Sequence, residues 1–345
     1  MEPKGVGLWP PKVVPRPNFP HPEPGAVRQW RTASVTKGPI NAQIRATNNA
    51  KEPRMTNPRV PFVLADQRPK LAPPEGKPLI VHFVVNIESW PFDSPPPRKI
   101  LTGPHGVETL PDVPNFSWAE YGLRAGMPRL FKIARDRNLP TSAFLNAGAI
   151  DDYPSVAQAV KDIGWEVVGH GLKQKAVGGE DDEAALLKLC LDKIEGFYGK
   201  RPRGWLGPGL RETNDTPDIL ASEGVDYICD WVLDDLPHWM TTKHGPVICM
   251  PYTLELNDSP MYAIQYQSSG DYYQRYKDTV ATFEKEFDNN PRILTIATHP
   301  HLMGVPHRVG YLEKLIDELL ARDDTIFMTG SQIADWFIAA DKAAK

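Results

Sequence analysis

The chain carries the apolar run Leu79-Ile80-Val81-His82-Phe83-Val84-Val85, which leads directly into Asn86-Ile87-Glu88. A nearly continuous apolar run of this length predicts a strand that is buried on both faces of a parallel sheet. Because side chains alternate along a strand, Asn86 and Glu88 are expected to point to the same side, just past its end. Two polar groups at the end of a buried strand mark a candidate site.

The same pattern recurs along the rest of the chain. Further strands are predicted at Thr141–Asn146, Trp165–Gly169, Arg203–Leu210, Asp226–Cys229, Val247–Tyr252, Arg292–Thr298 and Thr325–Met328. Helices are predicted between and after them, as at Tyr153–Ile163, Glu180–Tyr198, Pro217–Glu223, Tyr272–Asn289, Tyr311–Arg322 and Gly330–Ala344. An alternation of strand and helix repeated about seven times predicts an α/β fold with a closed or nearly closed barrel. An open doubly wound sheet is the alternative.

The first part of the chain has a different composition. Residues 1–76 are rich in proline and polar residues and have little periodicity, so they are predicted to be an extended N-terminal arm, with disorder as the alternative. Residues 77–345 are predicted to form the barrel. An arm of this kind is expected to lie on the barrel or on a neighbouring subunit, which favours a homo-oligomer.

Composition excludes several classes of partner. The chain has 345 residues, 24% charged residues and a formal net charge of -4, so neither nucleic acid nor a membrane is an expected partner. Three widely spaced cysteines, Cys190, Cys229 and Cys249, predict free thiols rather than disulfides or a zinc knuckle. We find neither a secretory signal nor a long apolar segment, and therefore expect a cytoplasmic protein.

Polar residues follow several of the other predicted strands. They are His170 between two glycines, Trp205, Asp230, Asp235, His299 and His301. On a barrel, these strand ends lie on one rim, where the chemistry of such folds is found. A hydrolase that activates water needs such a set of base, acid and carbonyl-polarising groups. His301 either faces this site or caps its strand. Arg124, between Gly122 and Gly126, either contacts a ligand or pairs with Glu120 at helical spacing.

The order of these segments resembles the polysaccharide deacetylase superfamily over residues 77–340. The resemblance rests on Asn86-Ile87-Glu88, Gly169-His170-Gly171, Arg203-Gly204-Trp205-Leu206-Gly207-Pro208-Gly209-Leu210 and His299-Pro300-His301. The segment Pro114–Gly122, with Arg124 and Gly126, looks like the branch that contains cofactor-independent allantoinases and cyclic-imide hydrolases. The resemblance implies a distorted (β/α)7 barrel that hydrolyses amide C–N bonds, with His299 as the general acid.

The chain also departs from the pattern of that family. Family deacetylases carry two aspartates at the first strand end, a base and a metal ligand, and Asn86 and Glu88 match them here. The family's His-x-x-x-His metal pair is matched by His170 and Gln174, and its Arg-x-Pro arginine by Leu206. Glu88 and His170 thus remain as candidate metal ligands, and the expected cofactor is either none or a divalent metal, for which zinc is preferred.

Three functions are compatible with these residues. In the first, the protein hydrolyses a small linear or cyclic amide, imide or ureide. Glu88 then activates water or orients the substrate, His170 polarises the carbonyl or holds a metal, and His299 protonates the leaving nitrogen. Substrate contacts are predicted for Asn86, Arg124, Trp205, Asp230, Asp235 and His301. The second is a zinc-dependent carbohydrate N-deacetylase whose metal site is rebuilt from Glu88, His170 and Asp230. The third is a barrel that binds a ligand without catalysis.

Overall fold

A computed structural model describes residues 57–178 and 182–345 of the chain and has an α/β fold. The strands are β1 Leu79–Ile87, β2 Thr141–Leu145, β3 Glu166–Gly169, β4 Gly204–Trp205, β5 Tyr227–Ile228, β6 His238–Met240, β7 Val247–Cys249, β8 Arg292–Thr298 and β9 Thr325–Phe327. The helices are α1 Val113–Tyr121, α2 Met127–Asp136, α3 Ala149–Asp152, α4 Pro154–Ile163, α5 Glu183–Tyr198, α6 Thr216–Ser222, α7 Asp258–Ala263, α8 Ser269–Phe283, α9 Pro306–Leu320 and α10 Gly330–Ala344. One turn of π-helix, Gly122–Gly126, joins α1 to α2.

All the strands belong to one sheet that is curled into a half-barrel of the (β/α)7 type. The strand order is β6-β7-β5-β4-β3-β2-β1-β8, and β9 also pairs with β1. All pairs are parallel except β6 with β7, so the carboxyl ends of the parallel strands open on one side of the sheet. The predicted α/β barrel is therefore confirmed, and the alternative of an open doubly wound sheet is not adopted.

Strand β1 shows how the sequence positions the site. Its alternate residues Leu79 and Val81 pack against the surrounding helices, whereas Ile80 and Val84 face the interior of the half-barrel. Asn86 lies on the same face of the strand as Ile80 and Val84, so its side chain also points into the interior. The strand is buried along its whole length, as the apolar run predicted.

Strand β6 and helices α1, α3 and α7 were not predicted from the sequence. Strand β6 is a short antiparallel edge strand, and α7 is a short helix that starts at Asp258. Helix α8 starts earlier than predicted, because the Ser268 side chain and the carboxylate of Asp271 form a capping box at its first turn. Helix α9 also starts earlier, with Pro306 in its first turn.

The end of the predicted arm lies on the barrel. Val60 and Leu71 are buried, and the Arg59 guanidinium binds Asp218 at 3.0 Å. Arg68 binds Asp234 at 3.1 Å, next to the start of β6. These contacts cover residues 57–76, whereas the prediction for residues 1–56 falls outside the described residues.

Two smaller predictions concern the cysteines and membrane spans. The three cysteines are buried and free, as their spacing predicted. Within residues 57–178 and 182–345, no helix is both long and apolar enough to cross a membrane.

Candidate active site

A cavity of about 440 Å³ opens at the carboxyl ends of the parallel strands. Five of the residues singled out in the sequence line it: Asn86, Glu88, His170, His299 and His301. They follow or end β1, β3 and β8, which come from separate parts of the chain. The sheet therefore brings together the strand-end residues that the sequence placed on one rim.

Glu88 lies at the centre of the polar cluster. Its Oε2 accepts a hydrogen bond of 2.7 Å from the indole Nε1 of Trp90. Its Oε1 is 3.4 Å from Nε2 of His299 and 3.9 Å from Nε2 of His170. Burial alone would raise the pKa of Glu88, but the charge of His299 and the polar contacts of both histidines hold it well below its usual value. Glu88 is therefore a carboxylate at neutral pH.

His299 is held between two carboxylates. Its Nδ1–H donates to Oδ1 of Asp258 at 2.6 Å, and its backbone N–H donates to Oδ2 at 2.7 Å. Burial would lower the pKa of His299, but Asp258 and Glu88 together raise it to about 10. The imidazole is therefore a cation at neutral pH, with an acidic proton on Nε2 that faces Glu88.

His170 has the opposite arrangement of protons. Its Nδ1 is 2.6 Å from the carbonyl oxygen of Leu206, which only accepts, so Nδ1 carries the hydrogen. In the neutral ring this leaves a lone pair on Nε2, and Nε2 is buried with no hydrogen-bond partner among the described residues. On this tautomer, Nε2 of His170 is a hydrogen-bond acceptor that faces the cavity.

The glycines on both sides of His170 are required by its surroundings. A Cβ on Gly169 would lie 2.6 Å from the ring of Trp205, and Gly171 has φ +73°, which side chains rarely adopt. The buried indole of Trp205 thus packs beneath the strand end, and the next residue, Leu206, supplies the carbonyl that orients His170.

His301 faces the cavity from an aromatic setting. Its ring makes edge-to-face contacts with Trp118 at 4.7 Å and Trp90 at 5.4 Å between centroids. Burial, opposed by the charge of Glu88, lowers the pKa of His301 to about 3, so this ring is neutral. A Cβ on Gly122 would lie 2.3 Å from the backbone nitrogen of His301, which explains the glycine before Arg124. The open question about His301 is settled in favour of the cavity.

Asn86 completes the floor of the cavity. Its Nδ2 donates to the carbonyl of Thr298 and to the hydroxyl of Tyr252, both at 3.1 Å. With its donors engaged by protein groups, Asn86 joins the ends of β1 and β8 and brings the Tyr252 hydroxyl to the cavity wall.

Four predicted substrate contacts require correction, because these residues do not line this cavity. The side chain of Arg124 is 75% exposed and pairs with Glu120 at 2.7 Å, which was the alternative interpretation. Trp205 is fully buried beneath Gly169. Asp230 accepts a hydrogen bond of 2.8 Å from the backbone of Gly207. Asp235 lies in a separate groove, where its backbone oxygen accepts from Ile293.

Sequence reasoning missed Asp258 and Trp90, which hold His299 and Glu88. Asp258 follows Asn257, whose side chain caps the short helix α7, and an Asn-Asp-Ser-Pro series is a recognisable helix start. That signal predicts a helix terminus but does not connect it to a histidine that lies 41 residues later in the sequence.

The residues do not fit a bound metal ion. In the part of the chain that the structure describes, no group of three or more histidine, cysteine, aspartate or glutamate side chains is placed to hold one. The zinc set Glu88, His170 and Asp230 is therefore incorrect. Gln174 lines the cavity in place of a second histidine, and amide groups are poor zinc ligands.

Comparisons with known proteins agree with this fold. Residues 117–228 match the sequence profile of the family described as polysaccharide deacetylase. A putative polysaccharide deacetylase of Schizosaccharomyces pombe is 26% identical over 324 residues, which cover 84% of this chain and 94% of that protein. The peptidoglycan deacetylase of Helicobacter pylori is 23% identical over 278 residues, or 70% of this chain and 93% of that protein.

Solved structures extend the comparison. The crystal structure of PuuE allantoinase superposes with a TM-score of 0.69 at 26% identity, covering 79% of this chain and 95% of that one. A probable polysaccharide deacetylase from Pseudomonas aeruginosa PAO1 gives a TM-score of 0.69 at 27% identity, with the same coverage. The resemblance inferred from the strand-end motifs is therefore confirmed.

Proposed function

We propose that this chain hydrolyses a C–N bond of a small linear or cyclic amide, imide or ureide. Its similarity to polysaccharide deacetylases and to an allantoinase supports a hydrolase that acts on C–N bonds. The observation that carries this proposal is the pair of histidines beside Oε1 of Glu88. One presents a lone pair at Nε2, and the other presents a proton at Nε2. Amide hydrolysis needs such a pair, an acceptor for a water proton and a donor for the leaving nitrogen.

The 3.9 Å between Glu88 and His170 defines a place for the attacking water. Both atoms are acceptors, so they repel each other unless a group between them supplies hydrogens. A water about 2.8 Å from each atom donates one hydrogen to each and keeps its lone pairs for the substrate. Attack by its oxygen forms the new C–O bond while one of the two acceptors takes the proton.

Collapse of the tetrahedral intermediate requires the acid. The C–N bond breaks, the carbonyl re-forms, and the Nε2 proton of His299 moves to the leaving nitrogen. The products are a carboxylic acid and an amine, or a single opened chain when the substrate is cyclic. The proton held by the acceptor restores the imidazolium of His299, whose cationic form Asp258 and Glu88 stabilise.

The size of the cavity supports a small substrate. A volume of about 440 Å³ lies at the low end of ligand sites, roughly 300–1,000 Å³. The allantoinase similarity favours the same class, because that relative is named for a small ureide substrate. The deacetylase relatives keep N-acetyl sugars among the substrates to be tested.

The test is a substrate panel with matched variants. Purified protein is assayed against cyclic imides, hydantoins, allantoin and N-acetyl sugars, with and without a chelator. We expect turnover of a small amide that resists the chelator and falls roughly 100- to 10,000-fold in kcat in His299→Asn. The control is His307→Asn, an exposed histidine of α9, which should retain activity.

Other outcomes point elsewhere. Turnover of N-acetyl sugars that chelator abolishes and zinc restores would favour the carbohydrate deacetylase. Tight binding without turnover of any substrate would favour the non-catalytic barrel. Equal turnover in wild type and His299→Asn would refute the assignment of the acid.

A further inference from the structure

Two arginines, Arg98 and Arg211, line the cavity without a carboxylate partner. Among residues 57–178 and 182–345, neither guanidinium makes a hydrogen bond or an ion pair. Arginines elsewhere on the barrel behave differently. Arg201 binds three carboxylates, and Arg203 binds two. Arg129 and Arg308 have no carboxylate partner either, but each donates to a backbone carbonyl. In the described part of the chain, Arg98 and Arg211 are therefore the arginines with neither kind of contact.

The backbone on either side of Arg98 restricts where this side chain can go. Three prolines at 95–97 precede it, and each fixes its own φ. Just after it, the backbone N–H groups of Ile100 and Leu101 donate to Oδ1 of Asn115 at 2.8 and 3.0 Å. Arg98 is therefore placed on the cavity wall by a loop that is anchored to α1.

Arg211 is positioned by a tight turn after β4. Gly209 has φ +67° and Leu210 has φ +56°, and the N–H of Leu210 donates to the carbonyl of Gly207 at 2.8 Å. A left-handed conformation at a leucine is uncommon and costs free energy, so it marks a turn that the surrounding structure imposes. The turn brings Arg211 to the rim of the cavity.

The charged groups in and beside the cavity have a positive excess. Glu88 is the only acidic side chain that lines the cavity in the described part of the chain. Its carboxylate is already engaged by Trp90 and by the imidazolium of His299. Burial is the main cause of the low pKa of His301, and the positive charge of Arg98 lowers it further. The electrostatic field of Arg98 therefore reaches the interior of the cavity. Because Asp258 also pairs with His299, two carboxylates stand against one imidazolium and two guanidiniums. One positive charge is left unbalanced, and an anionic ligand can neutralise it.

We propose that the substrate carries a carboxylate in addition to the scissile amide, and that Arg98 and Arg211 bind this carboxylate at the cavity mouth. The inference rests on the proposed function and names the substrate class within it. Guanidinium groups match the planar carboxylate with paired N–H donors, which orients as well as attracts it. With the carboxylate held at the mouth, the amide end of the molecule extends inward to Glu88 and the two catalytic histidines.

The experiment compares amides that differ only in charge. Malonamate, succinamate and glutaramate are each paired with the corresponding neutral diamide, and kcat and KM are measured for wild type, Arg98→Gln and Arg211→Gln. We expect wild type to prefer at least one anionic amide by about tenfold in kcat/KM. Each arginine variant should raise KM for that amide about tenfold at unchanged kcat, and should change the neutral diamide less than about twofold.

The matched control is Arg135→Gln. Its side chain is 66% exposed and lines a different groove, so this variant should leave both kinetic constants unchanged. The inference is overturned if wild type has nearly equal kcat/KM for the anionic amide and for its neutral diamide. It is also overturned if a preference for the anionic amide survives in both Arg98→Gln and Arg211→Gln. Either result leaves the amidohydrolase proposal intact.

Titration calorimetry separates the two proposals if no amide is turned over. Binding of succinamate or glutaramate that is about tenfold tighter than that of its diamide, and that is lost in Arg98→Gln, supports the carboxylate site although the proposed catalysis has failed. Failure of all three anionic amides to bind wild type at millimolar concentration overturns the inference.

Discussion

Replacing Asp258 by asparagine tests the origin of the acid. The pKa of His299 is raised from 6.5 to about 10, which is a rise of about 3.5. Burial opposes this rise, and Asp258 is the larger of the two carboxylate contributions, so its removal should lower the pKa by at least half the rise, about 2. We therefore expect His299 to titrate near pH 8 in Asp258→Asn.

The consequence for activity follows from the proton occupancy of the ring. At pH 9 a group with a pKa of about 10 is about nine-tenths protonated, and one with a pKa near 8 is about one-tenth protonated. The alkaline limb of the pH profile of kcat/KM should therefore shift about 2 pH units lower in Asp258→Asn. Deprotonation of His299 alone should then lower kcat/KM about tenfold at pH 9. The asparagine also exchanges an acceptor for a donor at one of two contacts to His299, which lowers the rate further at every pH.

Proton NMR of the histidine rings measures the same quantity without a substrate. The His299 resonance is assigned with His299→Asn and followed from pH 5 to pH 11 in wild type and in Asp258→Asn. The control is Asp323→Asn, an exposed aspartate between α9 and β9, which should leave the titration unchanged. A His299 that still titrates near pH 10 without Asp258 would refute the reasoning, because Glu88 and other groups would then account for the cation.

Further predictions concern stability. Burial raises the pKa of Glu212 from 4.5 to about 7. Between these pH values the folded protein binds more protons than the unfolded chain, so its stability falls as the pH rises through this range. In urea unfolding, Glu212→Gln should match wild type near pH 4.5 and be more stable by about 2 kcal/mol at pH 8, after allowance for partial exposure; equal stability at both pH values would contradict this. Burial lowers the pKa of His82 from 6.5 to about 4, so between these pH values the unfolded chain binds a proton that the folded protein does not. The free energy of unfolding of wild type should therefore fall by up to about 3 kcal/mol as the pH falls from 6.5 to 4. His82→Gln keeps a donor toward Ser142 and should flatten this slope; an unchanged slope would exclude His82 as its source. Gly169→Ala should lower the free energy of unfolding by about 1–3 kcal/mol, because its Cβ meets the ring of Trp205. The control Gly196→Ala in α5 has open space around it and should raise the free energy of unfolding by about 0.5–1 kcal/mol. A Gly169→Ala variant as stable as wild type would mean that the indole moves freely.

The fold was largely accessible from the sequence because its main signal is local. The apolar run that became β1 and the alternation of strands with amphipathic helices are read within short windows, and the structure follows them. Strand β6 escaped prediction because an edge strand of three residues has no periodicity to detect. The early start of α8 depends on a capping box whose members, Ser268 and Asp271, look like an ordinary polar loop in the sequence.

The site was accessible only in part, for the same physical reason. A residue that ends a buried strand is predictable, and Asn86, Glu88, His170, His299 and His301 all reach the cavity. The direction of side chains that follow short or irregular strands is not predictable. Asp230 follows a strand of two residues, and its carboxylate turns back to the backbone of Gly207 instead of entering the cavity.

The three cavity histidines show why residue type and spacing cannot assign an acid and a base. His170, His299 and His301 all follow strand ends, yet they differ in protons because of partners that are distant in sequence. Asp258, which is 41 residues from His299, makes that ring a cation, and Leu206, which is 36 residues from His170, places its lone pair toward Glu88. His301 lies among aromatic rings and stays neutral. The division of roles between identical side chains is thus created by the sheet, which brings a carboxylate to one ring, a carbonyl to the second and indoles to the third.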